Sequence, residues 1–229
     1  MTLNTKSTVA QDIQRIHFVL TYAIGNSIDE CLELQENNCD IDEQKKEGFI
    51  NYLKSLVNLF HSHHTVEDDK IFPFFKSSNF SMPYENLAKQ HEDLIPLLDS
   101  LESSIEQLNS DFSNVENIEF VKICLQHIQS AWDEHYKLEE EYLNDENIAQ
   151  LISLEEQGKL CLEFGQYAGK HINPDYLVIP FILFNLPTQE REVMAEVFPP
   201  VITQELIPNQ WKDKWQSMSP FLRINKDLG

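Results

Sequence analysis

Residues 60–75 read FHSHHTVEDDKIFPFF. Three histidines, His61, His63 and His64, fall in four positions, and three acids, Glu67, Asp68 and Asp69, follow. The stretch is either a metal site or a solvated charge cluster, and its helical phase decides which. Upstream, Phe49, Leu53, Leu56 and Phe60 recur in steps of four and three, and the series continues through His63, Glu67 and Ile71. That is the spacing of one helix face. On this phase His63 and Glu67 point inward, one turn apart. His64 and Asp68 lie about 100° round, on the flank, and His61 further off. The competing phase runs through Val57 and His64 instead. The Leu56 phase is adopted, so His63 and Glu67 are the expected ligands. His61, His64, Asp68 and Asp69 are expected to stay out of the site, with His61 and His64 solvated.

The same pattern recurs along the chain. A first helix is expected from about Val9 to Leu34, with His17 interrupting its apolar stripe between Ile13 and Leu20. The second runs from about Asp42 to Phe72 and is expected to stop at Pro73. A third opens at Ser81-Met-Pro83, carries His91 on its stripe, reaches about Leu108 and contains Pro96, where a kink is expected. The fourth starts at an expected capping box, Ser113-Asn-Val-Glu116, and ends near Leu143. In its segment AWDEHYKLEEEYL, His135 and Glu139 are one turn apart on the inner face, with Glu140 and Glu141 pointing away. Four amphipathic helices with modest connections make an all-α, up-down-up-down four-helix bundle over residues 1–145. Residues 146–229 read as a C-terminal extension. One helix is expected from Asn147 to Tyr167, then short helices cut by Pro174, Pro180, Pro187, Pro199, Pro200 and Pro208. The apolar run at residues 176–186 either packs on the outside of the bundle as a plain amphipathic helix, the favoured reading, or caps its open end and forms a pocket.

Each bundle helix thus offers one inward histidine, and the second and fourth add a glutamate. HxxxE pairs are unremarkable by count; their placement on buried stripes is the signal. A buried, unpaired glutamate costs several kcal/mol or takes up a proton, and a cation removes that cost for all six groups together. Four imidazoles and two carboxylates exceed the needs of one tetrahedral zinc. Calcium and magnesium prefer oxygen. The mixed donor set suits two iron ions, with manganese or zinc possible. His17, His63, His91 and His135 are the expected terminal ligands. Glu67 and Glu139 are the expected bridges, with an oxide or hydroxide between the ions.

Composition narrows the partners. The net charge of −21 repels nucleic acid and anionic membranes. The longest apolar run is eleven residues with a proline inside, too short to span a bilayer. Cys31, Cys39, Cys124 and Cys161 form no CxxC pair and suggest no disulfide framework. The N-terminal residues lack a signal-peptide pattern, so a cytoplasmic location is expected. Oligomeric state is not legible.

The order His…HHxxED-x-x-IFP…HE…HxxxEE resembles the hemerythrin-like, HHE cation-binding family over about residues 9–145. The matching positions are His17, His63, Glu67, His91, His135 and Glu139. HHTVEDDKIFP is similar to the family's second-helix motif and HYKLEEEYL to its fourth, and the tail is similar, more loosely, to the extension of longer members. The resemblance implies a non-heme di-iron centre that meets dioxygen, nitric oxide or peroxide. Family members carry or sense oxygen, sense iron, repair damaged iron centres or turn over peroxide. Oxygen-carrying hemerythrins use five histidines, whereas four are assigned here. A fifth would have to come from His64, His127 or His171. Two other functions stay open: a di-iron oxidase or oxygenase acting on an organic substrate, and an iron-sensing or interaction module.

Overall fold

The computed structural model describes residues 7–226. Among them there are helices and no strands. Four long helices form the bundle: α1 (Val9–Glu36), α2 (Glu43–Val66), α4 (Tyr84–Ser110) and α5 (Val115–Tyr142). A short α3 (Phe72–Ser77) follows α2. Local chemistry sets the boundaries. Thr8 caps α1 in a reciprocal capping box with Gln11. Asn38 and Cys39 take positive φ and end that helix's path. Asp42 accepts from Lys45 N–H at the start of α2.

Three boundaries differ from the sequence expectation. Pro73 does not end the second helix. A wide π turn, Glu67–Ile71, places Phe72 N–H on Glu67 C=O, and Pro73 then falls in the first turn of α3, where no N–H is required of it. The cap of α5 is Asn114, which accepts from Glu116 N–H, while the Ser113 hydroxyl turns back to Asp111. The single helix expected over 147–167 is two, α6 (Asp145–Leu151) and α7 (Leu154–Ala168). Ser153 forms its own capping box with Glu156 and starts the second one afresh.

The extension continues through α8 (Asp175–Asn185) and α9 (Thr188–Ala195), a wide-turned helix Ile202–Gln210, and short turns to Lys226. Its helices α6 and α7 pack, through Ile148, Cys161 and Phe164, at the end of the bundle where α1 and α4 begin, and the rest lies along the outer side of α1 and α2. Helix α8 is apolar nearly all round and is buried there. Buried polar groups pin this layer down. Arg15 binds Glu190 of α9 at 2.7 Å, Tyr52 donates to Asn185 at 3.3 Å, and Asn26 donates to the Phe221 carbonyl at 3.1 Å. The residues of α8, with Met218, Phe221 and Leu222, join one core with Phe49, Leu56 and Phe60. No helix among the described residues is long and apolar enough to cross a membrane.

Candidate metal centre

Helix α2 is buried on both competing phases: Leu56 and Val57 are 0% and 2% exposed. The Val57 side faces α4 and α5, where the His64 ring stacks on that of His91 at 4.2 Å and meets that of His135 at 5.6 Å, while the extension covers the other side of α2, at Ser62 and His63. His64 is therefore buried beside His63, both at 7% exposure, and its expected solvation is overturned. The either/or choice of phase fails because both stripes face protein. His61 is half-exposed; His127, His171, Asp68 and Asp69 are exposed.

The six expected residues, with His64 added, come together in two groups that share Glu67. One is His64, Glu67, His91 and His135. The other is His17, His63, Glu67 and Glu139. Within each group the donor atoms lie within 4.8 Å of one another. On a helix Glu67 is about 40° from His63 and about 60° from His64, between the two. Its oxygens divide accordingly. Oε1 lies 3.1 Å from His63 Nε2 and 3.9 Å from His17 Nε2, while Oε2 lies 3.2 Å from His91 Nε2. Glu139 Oε2 lies 3.1 Å from His17 Nε2 and 3.8 Å from His135 Nε2. Each carboxylate thus reaches histidines of both groups. The sequence carried this signal: in HHxxE, a bridging acid sits three residues from one imidazole and four from the other.

The donors fit a metal. Both oxygens of Glu67 and of Glu139, and Nε2 of His17, His63 and His64, are buried without a hydrogen-bond partner. Such atoms are costly unless a cation satisfies them. Two ligands bonded at about 2.1 Å to one ion, roughly at right angles, sit about 3 Å apart, which the shortest N···O separations match. The outer ring nitrogens are held as metal-bound imidazoles usually are. His17 Nδ1–H donates to Glu140 at 2.8 Å, His91 Nδ1–H to Asp68 at 2.9 Å, and His135 Nδ1–H to Gln90 at 3.3 Å. Each of these bonds leaves the Nε2 lone pair aimed inward. Glu140 is consequently half-buried and bonded, not turned to solvent as expected. Trp132 closes the floor, its ring edge-on to His17 at 5.2 Å and its N–H on Thr21 at 2.9 Å.

Without a cation the charges are split. Burial and the nearby Glu139 push Glu67 up to about 7. Burial alone would lower His91, but Asp68 and Glu67 override it and raise the imidazole to about 10. His17 is likewise raised against burial, by Glu139, Glu140 and Glu67. Burial lowers His135 to about 4 despite Glu139. Burial, then repulsion from neighbouring imidazoles, lowers His63 and His64. Protons on His17 and His91 occupy the positions that cations would take.

This is the donor set of a cation-binding helical bundle. Residues 24–145 match the family model of the hemerythrin HHE cation binding domain, more than half of the chain's 229 residues, and the chain belongs to that family. His17 lies just before the matched segment, and the other six donors lie inside it. No curated protein and no solved structure matches the chain.

Proposed function

We propose that the protein is a non-heme di-iron protein that binds or reacts with a small ligand: dioxygen, nitric oxide or peroxide. The observation that carries this reading is the pair of buried donor groups joined through Glu67, with unpartnered atoms turned inward. His17 and His63 would hold one ion, His64, His91 and His135 the other, and Glu67 and Glu139 would bridge them. Manganese or zinc suits the same donors less specifically.

Two iron ions would supply redox chemistry and open coordination positions to a small molecule. The chain's own residues do the rest. Glu140, Asp68 and Gln90 fix three imidazole orientations. Trp132, Phe60 and Phe72 exclude water from the donors. The unequal groups, two histidines against three, leave the His17/His63 side with fewer protein nitrogens, so the open position is expected there. Free cysteines fit a reducing, cytoplasmic setting.

The test is anaerobic loading followed by metal analysis and optical spectra. Two irons per chain, and spectra that change on adding oxygen or nitric oxide, are expected. Less than about one iron per chain would sink the reading. A stable, reversible band would mark a carrier or sensor, and rapid bleaching with turnover an enzyme.

A further inference from the structure

The extension does more than bury α1 and α2. Between it and the bundle lies a cavity of about 120 Å³. Helices α1 and α2 supply Ile13 and Leu59, and the extension supplies Phe164, Ile182 and Met194. Its inner end reaches His63 of the candidate centre. The lining residues that approach solvent, Gly169, Val197 and Phe198, mark its mouth.

We propose that this pocket binds an uncharged, apolar organic molecule and holds it against the His17/His63 side of the centre. The proposal rests on the di-metal reading only for what stands at the inner end. Apart from the His63 ring at its inner end, the wall offers polar ligands nothing free. The Asp12 carboxylate is taken by Ser7 at 2.6 Å and Arg15 at 2.7 Å. The Ser62 hydroxyl donates to the Ala168 carbonyl at 3.3 Å. His63 Nε2 faces Glu67. A polar guest would lose its hydration without compensation, and water gains too few partners to settle there. A dry apolar cavity of about 150 Å³ holds benzene, so this one suits a body of about six carbons, or the apolar end of a longer molecule. A diatomic gas would fill only a small part of it. The pocket has the usual composition of an organic-ligand site, apolar walls with one chemically active end.

Toluene, titrated into the full-length, iron-loaded protein by calorimetry, is the probe. One saturable site is expected, with the isosteric but polar phenol binding more weakly. Ala168→Leu adds bulk to the pocket wall without replacing a candidate ligand and should weaken toluene at least tenfold. Ala149→Leu, on the exposed side of α6, should not. If Ala168→Leu does not fold, Met194→Ala enlarges the pocket instead and should shift preference toward naphthalene. Occupancy should also perturb the visible spectrum of cobalt(II)-loaded protein, because the guest abuts His63. No saturable binding, or equal affinity in wild type and the filled variant, would overturn the pocket. A chain that binds toluene but no metal would sink the di-metal reading and leave the pocket standing.

Discussion

Helices α2 and α4 cross the same bundle, yet 14 of 24 residues are buried on α2 and 8 of 27 on α4. Helix α1 resembles α2, with 14 of 28, and α5 resembles α4, with 7 of 28. The open half shows a single stripe facing the bundle axis, as an amphipathic helix in water should. The covered half has two buried faces, one toward the axis and one toward the extension. The candidate centre divides along the same line. His17 and His63 come from the covered half, His91 and His135 from the open half. His64, on α2, and Glu67, in the π turn that follows it, tie the two together. His64 lies on the face of α2 turned to α4 and α5, and His63 lies between that face and the one the extension covers.

Glu67 tests the seam most severely. Replacing it with alanine removes the group common to both sites, so both ions should be lost. A variant that still holds two ions would deny the bridge. His64→Ala is the sharper follow-up. It should lose one ion and keep the other, as His63→Ala should in the opposite sense. Resolving which half stays loaded, by spectra of cobalt-substituted variants, separates the sites. Wild-type metal content in His64→Ala would restore the four-histidine set read from the sequence.

The extension's hold on the covered half can be broken at one position. A Cβ at Gly48 would meet the Ser217 carbonyl oxygen at 1.9 Å, backbone that cannot swing aside. Gly48→Ala should therefore cost about 1–3 kcal/mol or more and lower the melting temperature. Gly25, within α1, has nothing within 4 Å of its virtual Cβ. Gly25→Ala should be neutral or stabilise by about 0.5–1 kcal/mol through helix propensity. Equal melting temperatures for the two variants would mean that residues 216–221 do not pack on α2 as described.

These contrasts show which features were legible in the sequence. The four long helices announced themselves through apolar stripes, and His17, His63, His91 and His135 through their place on them. Glu67 and Glu139 followed from one-turn spacing. His64 did not, because phase was judged on the assumption that each helix has one buried stripe. The face of α2 inside the bundle is wide enough to take both stripes, with His64 turned to His91 and His135, and nothing local in residues 60–75 gives that width. The π turn at Glu67 was equally hidden. It exchanges one hydrogen-bond pattern for another without a residue type that demands it, and Pro73 read as a stop when it was the start of a new turn. The cap at Asn114 turned on which of two adjacent polar residues, Ser113 or Asn114, bonds the backbone, a competition that spacing does not decide.

Proton linkage gives a smaller effect that both halves should share. In the metal-free protein His91, raised from 6.5 to about 10, and His17, raised in the same direction, keep protons that the unfolded chain releases. Their contribution is whole below pH 6.5 and is lost as pH rises through the folded values. Glu67, raised from 4.5 to about 7, destabilises in the same direction as it ionises. The lowered pKa values of His63, His64 and His135 act oppositely, but only below pH 6.5. From pH 6.5 to about 9 the metal-free melting temperature should therefore fall. Loaded protein should lack that decline, because cations replace the two protons. A metal-free melting temperature that holds or climbs over this range would contradict the charge assignment.

The smallest predicted effects distinguish the halves from each other. Asp68 holds His91 in the open half and Glu140 holds His17 in the covered half, each through an imidazole Nδ1–H. Asp68→Asn and Glu140→Gln keep an acceptor oxygen and remove the negative charge. The lost charge makes the ring a poorer donor to a cation at Nε2, and such outer partners typically govern 10–100-fold in affinity. Both acids are partly in water, Asp68 at 47% and Glu140 at 30% side-chain exposure, so solvent screens the change and about tenfold is expected. The better-buried Glu140 should matter more. Each variant should weaken only its own site, Glu140→Gln that of His17 and His63, Asp68→Asn that of His64, His91 and His135. Competition with a chelator, followed at two resolved steps, would read this out. Equal weakening of both steps by either variant would mean that the two ions are bound as one unit, and that the division between covered and open halves stops short of the metals.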